Sequence, residues 1–191
     1  FRNCTGLTEV TIGNSVTKIG GGAFEDCTGL TTVNFNAENC TTMGSSSYPI
    51  FQGCSNLTAV NISESVKAIP NYAFYKCTGL TEVTIPNSVT SIGEEAFYNC
   101  SGLTEVTIGN SVTEIENYAF EDCTGLTTVN FNAENCISMD GSTVFRGCSN
   151  LTTLNIGESV KIIPDYAFEE CPSLTSVTIG NSVTSIGEKA F

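Results

Sequence analysis

The sequence predicts a repeat solenoid, in which short parallel β-strands stack along one axis. Phenylalanine recurs at intervals of 23 to 27 residues through all 191 positions, and eight of these phenylalanines are followed three residues later by cysteine. Sixteen residues, from Glu25 to Cys40, also return letter for letter from Glu121 to Cys136. A unit of this length cannot bury its own apolar side chains, so like residues of successive units must stack into a continuous core.

A longer period is superimposed on the first. The four repeats that begin at Leu7, Leu30, Leu57 and Leu80 match those that begin at Leu103, Leu126, Leu151 and Leu174. The sequence therefore predicts one continuous domain over residues 1–191, with about eight repeats in two four-repeat blocks at approximately 1–96 and 97–191. Phe1 and Phe191 occupy the same phase and no polar cap flanks them, so we expect the chain to be a segment of a longer array.

Each repeat contains three local patterns. "LTEVTI" (103–108) alternates apolar with polar residues and is rich in β-branched residues, which is typical of a half-buried strand. "GNS" or "PNS" follows as a turn. "VTSIG" (89–93) permits a second extended segment, and "EEAFYNC" (94–100) is compatible with one helical turn. We expect parallel strands with short helical, 3-10 or extended returns.

The residues that mark the repeat are the predicted core ladders. They are Phe24, Phe51, Phe74, Phe97, Phe120, Phe145 and Phe168, with Cys27, Cys54, Cys77, Cys100, Cys123, Cys148 and Cys171. Three readings of the cysteines remain open: buried thiols, disulfides between adjacent turns, or metal ligands. The absence of histidine and of any C-x-x-C pair disfavours the metal site.

Composition restricts the function. A net charge of -13 and a pI near 4.1 disfavour nucleic acid and anionic membranes as partners. No apolar run approaches the roughly 20 residues of a membrane span. Without histidine the usual general base is missing, and carboxylates recur by phase at Glu9, Glu82 and Glu105, as on a solvated face. The sequence predicts a non-enzymatic protein with no cofactor.

Two polar patterns are candidate surface sites. One is the outward strand ladder of Thr11, Asn34, Asn61, Thr84, Thr107, Asn130, Asn155 and Thr178. It either keeps the sheet soluble or presents a hydrogen-bonding surface to a protein, a glycan or a neighbouring solenoid. The other is a set of N-x-[S/T] glycosylation sequons at Asn3, Asn39, Asn56, Asn61, Asn99 and Asn150.

The stretch "LTEVTIPNSVTSIGEEAFYNCSG" (80–102) resembles the BspA-type leucine-rich repeat, and the resemblance extends over essentially the whole chain. It implies a curved right-handed β-solenoid with a parallel sheet on one face, and a secreted or cell-surface protein that takes part in adhesion. The two longer repeats depart from the pattern. Cys40 and Cys136 occupy a valine position there, and Met43 and Met139 an isoleucine position, so we expect the solenoid to bulge.

Two hypotheses follow. The first is an extracellular or cell-surface protein that binds host or neighbouring-cell proteins or glycans through its solenoid surface. The second is a structural protein whose tandem or end-to-end copies form an extracellular fibre or coat, with glycans on its sequons and further copies of itself as partners.

Overall fold

The computed structural model describes residues 1–139 and 144–191, and in it the chain winds into a parallel β-solenoid with two strands in each turn. The strands are β1 Glu9–Ile12, β2 Lys18–Ile19, β3 Thr32–Phe35, β4 Thr42–Met43, β5 Ala59–Ile62, β6 Ala68–Ile69, β7 Glu82–Ile85, β8 Ser91–Ile92, β9 Glu105–Ile108, β10 Glu114–Ile115, β11 Thr128–Phe131, β12 Ser138–Met139, β13 Thr153–Ile156, β14 Ile162–Ile163, β15 Ser176–Thr178 and β16 Ser185–Ile186. The predicted parallel-strand solenoid of about eight repeats is confirmed.

The odd-numbered strands form one eight-stranded parallel sheet in the order β1-β3-β5-β7-β9-β11-β13-β15. Equivalent residues of successive turns are paired, such as Val83 with Val106 and Thr84 with Thr107. Because side chains alternate across a strand, the valine and isoleucine positions face the core and the polar positions face outward. The two-residue strands form a second, shorter series of ladders, of which the longest runs β12-β10-β8-β6.

The core is a stack of identical side chains. The ring of Phe97 lies parallel to those of Phe74 and Phe120, at centroid distances of 5.3 and 5.1 Å. The thiol of Cys100 donates a hydrogen bond to the carbonyl of Phe74 (3.2 Å), and Cys123 donates in the same way to Phe97 (3.2 Å). Each turn is thus tied to the preceding one by a ring and by a thiol.

The structure places most residues of the predicted core ladders in the interior. All seven phenylalanines and six of the seven cysteines are buried, and Cys171 is partly exposed. All ten cysteines are free thiols.

The corner of each turn differs from the helical turn that residues 94–100 suggested. The N–H of Ala96 bonds back to the carbonyl of Gly93 (3.2 Å), but the N–H of Phe97 bonds to Ala119 of the next turn (2.8 Å). Glu95 and Asn99 have φ values of 52° and 51°, and such left-handed residues end a helix. The corner is a succession of tight turns, and no helix occurs among the described residues.

This backbone path repeats at every corner. The position two residues after the ladder phenylalanine has positive φ in eight successive turns, at Asn3, Asp26, Gly53, Lys76, Asn99, Asp122, Gly147 and Glu170. Corner amides such as that of Phe97 donate to the following turn, whereas residues directly before a strand, such as Thr104, donate to the preceding turn, here to Thr81 (2.8 Å). Most turns therefore supply hydrogen bonds in both axial directions.

The longer repeats keep their substituted core residues inside. Cys40, Cys136, Met43 and Met139 are all buried, so the chain follows the core through both positions. In the first long repeat the extra residues form a loop after Met43, closed by two backbone hydrogen bonds between Ser45 and Tyr48 (3.1 and 3.3 Å). In the second long repeat the residues that follow Met139, 140–143, lie outside the described residues.

We expect Gly53→Ala to lower the free energy of unfolding by about 1 to 2 kcal/mol. Gly53 has a φ of 77°, and a Cβ there would press on the Oδ1 atom of Asp26 in the preceding turn. Chemical denaturation monitored by circular dichroism measures the loss. Gly13→Ala is the matched control, because its Cβ would meet open space; it should change stability by less than about 0.5 kcal/mol. Equal losses of stability for the two changes would contradict a need for glycine at the left-handed backbone of residue 53.

Candidate functional site

The outward face of the eight-stranded sheet carries the predicted polar ladder. All eight of its residues, from Thr11 to Thr178, are exposed or partly exposed. A second outward column runs beside it and includes Glu9, Glu82 and Glu105. The face is polar along the sheet and has no large apolar side chain on its outward strand positions.

The ladder residues bond to one another in two equivalent clusters. The amide nitrogen of Asn34 donates to Glu9 (2.5 Å) and Thr11 (3.3 Å), and Asn61 donates to Asn34 (2.8 Å). Four turns on, the same contacts are made. Asn130 donates to Glu105 (2.7 Å) and Thr107 (3.1 Å), and Asn155 donates to Asn130 (2.7 Å). These amides are already satisfied by their neighbours, which lowers the gain from bonding a ligand.

One strand pair interrupts the sheet. Strands β5 and β7 pair only at Ala59 and Glu82, whereas β7 and β9 pair over four residues. A cleft of about 430 Å³ opens between β5 and β7, and Pro86 lies in its wall. Pro86 has no N–H, although at the equivalent position Asn132 and Gly157 donate to the preceding strand. Pro86 therefore cannot supply the hydrogen bond that Asn132 and Gly157 donate at the end of their strands.

A cluster of tyrosines lies on the corners of two adjacent turns. The rings of Tyr75 and Tyr98 are stacked, with centroids 5.1 Å apart, and Tyr72 meets Tyr75 edge-on at 6.2 Å. Tyr75 is buried beneath its neighbours, while Tyr72 and Tyr98 are partly exposed. Lys76 lies over the Tyr75 ring, with Nζ 5.0 Å from the centroid.

Carboxylates surround these rings. The hydroxyl of Tyr72 donates to Oε2 of Glu94 (3.3 Å). Partial burial, with smaller contributions from Asp122 and Glu121, raises the pKa of Tyr98. Burial and the neighbouring Glu94 and Glu121 raise the pKa of Glu95. We call the set of Tyr72, Tyr75, Tyr98, Glu94, Glu95 and Asp122 the tyrosine corner.

One ion pair borders the tyrosine corner. Glu121 is 6% exposed and accepts hydrogen bonds from the guanidinium of Arg146, whose Nε lies 2.6 Å from Oε1. The same guanidinium lies 5.5 Å from the Tyr118 ring. The charge of Glu121 is thus neutralised locally, and the unpaired negative charge of the corner rests on the other carboxylates.

Sequence reasoning missed the tyrosine corner. The candidate surface sites were the outward strand ladder and the sequons, but Tyr75 and Tyr98 stand directly after ladder phenylalanines in successive repeats. Residues in the same phase of a solenoid stack, so this repetition was the available signal.

The sequons are accessible to different degrees. Asn3, Asn39, Asn56, Asn61 and Asn150 are exposed and Asn99 is partly exposed. The amides of Asn56 and Asn150 each donate to a backbone carbonyl of the preceding turn, at 2.7 and 2.8 Å.

Within the described residues no group of three or more His, Cys, Asp or Glu side chains is placed to hold a metal ion. No helix in the described part of the chain has the length and apolar character needed to span a membrane.

Comparison with known proteins assigns the family. The sequence profile of the BspA type leucine rich repeat region matches residues 1–77 and 67–191, in six copies. The chain belongs to the BspA-type leucine-rich repeat family. The stacked Phe and Cys ladders are therefore the structural form that this repeat takes here.

Solved leucine-rich repeat structures share the fold of this BspA-type chain. The T. pallidum leucine-rich repeat protein TpLRR superposes with a TM-score of 0.67 and 25% sequence identity, over 87% of this chain and 78% of that one. A leucine-rich repeat protein from Bacteroides ovatus ATCC 8483 gives a TM-score of 0.55 and 21% identity, over 97% and 74% of the two chains. A search of the curated proteins gave no match.

Proposed function

We propose that this chain is a non-enzymatic recognition protein of the cell surface or extracellular space, and that it binds a partner protein through the tyrosine corner. The observation that carries the proposal is the contact of three tyrosine rings on a corner rich in carboxylates. Membership of a repeat family that suggests protein binding or adhesion, and that is typically surface-associated, supports it.

Tyrosine suits this role for physical reasons. Its ring supplies a large contact area with few rotatable bonds, and tyrosines are enriched among the residues that dominate binding energy. Tyr72 and Tyr98 are held in place by the buried Tyr75, so little side-chain freedom remains to be lost on binding. With Glu94, Glu95 and Asp122 beside the rings, the complementary partner surface is basic.

A structural fibre or coat is the second candidate. It is favoured by the two equivalent hydrogen-bonded clusters on the sheet face, which recur after four turns, or roughly 19 Å at the usual strand spacing. A surface that repeats itself can pack against copies of itself in register. Glycans on the exposed sequons are compatible with both the recognition and the structural role, and they would cover part of the surface.

The test is binding of the 191-residue chain to a panel of extracellular proteins and intact cells, measured against rising salt. We expect at least one basic protein to bind, salt to weaken it, and Tyr98→Ala to reduce affinity by about 30-fold or more. Thr107→Ala and Thr153→Ala, on the sheet face, are the matched controls and should bind as the parent does. Thermal melts verify that all variants fold.

Two results would overturn the proposal. One is the absence of binding to any protein or cell. The other is loss of binding in the sheet-face variants with retention in Tyr98→Ala. Sedimentation of the free chain addresses the second candidate, because fibres or large assemblies at low concentration would favour the structural role.

A further inference from the structure

The cleft between β5 and β7 is the one place in the described sheet where pairing stops after a single residue pair. It is lined by Asn61, Ile62, Glu64, Glu82 and Thr84, together with Pro86 and neighbouring backbone. Ile62 is partly exposed there, whereas Ile85 and Ile108, at the same position of the next two turns, are buried. The cleft thus opens the sheet as far as its apolar layer.

Parallel-sheet geometry identifies the backbone groups that the opening frees. In such a pair the bonds alternate between the strands, and the register Ala59–Glu82 fixes which groups come next. These are the N–H groups of Ile62 and Thr84 and the carbonyls of Val60, Ile62 and Thr84. Within the ladder the carbonyl of Ile62 would accept a hydrogen bond from residue 86, but Pro86 has no N–H to donate.

Acceptors outnumber donors in the cleft. Beyond the single pair Ala59–Glu82, the three carbonyls and the carboxylates of Glu64 and Glu82 outnumber the two N–H groups. Both carboxylates are on exposed residues, and no lysine or arginine is among the lining residues. A complementary ligand therefore carries positive charge and several N–H donors.

We propose that this cleft is a binding site for a guanidinium group, as carried by an arginine side chain of a ligand or partner. Guanidinium has five N–H donors in a rigid plane and no acceptor, which matches a surface of carbonyl and carboxylate oxygens. Its weak hydration lowers the cost of leaving water. The apolar floor formed by Val60 and Ile62 accommodates the methylene stem of the side chain.

This site is separate from the tyrosine corner. Its residues lie on the sheet face, at strands β5 and β7, and none of them belongs to the corner. The inference does not rest on the proposed protein-binding function, and a small probe tests it alone.

The experiment is a titration of the isotope-labelled chain with Nα-acetyl-arginine N-methylamide, followed by amide NMR. We expect saturable shifts centred on the amides of Ile62 and Thr84. The citrulline analogue replaces the charged guanidinium with a neutral urea of similar shape. Its affinity should be lower by at least a factor of about 10.

Two variants probe the geometry. Glu82→Gln keeps the shape and removes one charge, and should weaken arginine binding by about 10-fold. Pro86→Gly restores an N–H where Asn132 and Gly157 use one to close the ladder, and should abolish the saturable shifts. Glu105→Gln, at the position of Glu82 in the next turn, is the matched control and should leave the affinity unchanged.

Three outcomes would overturn the assignment. These are shifts spread over the whole acidic surface without saturation, equal affinity for the citrulline analogue, and full binding by Pro86→Gly. In Pro86→Gly the amide resonances show directly whether β5 and β7 now pair. Closure of the cleft can therefore be distinguished from a loss of folding.

Discussion

Phe97→Ala is expected to lower the free energy of unfolding by about 3 to 5 kcal/mol. The Phe97 ring is fully buried and lies between two parallel rings, 5.3 Å from Phe74 and 5.1 Å from Phe120. Its removal leaves a cavity that the neighbouring turns cannot fill, because their own rings are held in the same stack. Each turn contacts only its neighbours, so the break also divides one cooperative unit into two.

Urea denaturation followed by tyrosine fluorescence and circular dichroism measures both effects. We expect a lower midpoint and two resolved transitions in place of one. Phe1→Ala is the matched control, since Phe1 stacks on Phe24 in the same way but is 74% exposed. It should cost less than about 1 kcal/mol. An unchanged, single transition for Phe97→Ala would contradict a core built on this ladder.

Alkaline pH is expected to unfold the solenoid through its buried thiols. Burial raises the pKa of Cys136 from 9.0 to about 12 and that of Cys54 to about 11. Burial also raises the pKa of Cys77, Cys100 and Cys123. In the unfolded chain these thiols ionise near pH 9, so the stability that their burial provides is fully present below that pH. It is lost as pH rises toward the raised values of the folded state. Cys136 alone accounts for about 4 kcal/mol over this interval.

The measurement is the free energy of unfolding between pH 7 and pH 11 under reducing conditions. We expect a plateau to about pH 9 and a steep fall beyond it. Cys136→Val should have a shallower fall, because one ionising thiol is gone, whereas Cys4→Ser should follow the parent, since Cys4 is exposed. Stability that stays constant to pH 11 would show that the thiols are not shielded from water.

The repeat phase made the solenoid predictable. A residue such as Leu103 or Val106 has a counterpart in every repeat, and only stacking buries such a series, so strand position and inward direction could be predicted together. The corner was less predictable. "EEAFYNC" has residues compatible with a helix, but the hydrogen bond from Phe97 to the next turn competes with the local one. A local pattern does not report a bond made to a residue 22 positions away.

The two candidate sites were hidden for different reasons. The tyrosine corner depends on which side chains of successive turns meet, and Tyr98 reads in one repeat as an ordinary variable position. The cleft has Pro86 in its wall. In sequence it reads as a turn residue like the glycine at 109, and its effect appears only when the carbonyl that loses its donor is identified as that of Ile62.

Hydrogen bonds in both axial directions have a consequence for how such a gene can evolve. Most turns present equivalent donors and acceptors to the turn before and the turn after. A recombination event that adds four turns therefore joins surfaces that already fit, and no compensating mutation is needed. Copy number can change in one step, which leaves the copies nearly identical and lets later mutations, such as proline in one turn only, give individual turns their own surfaces.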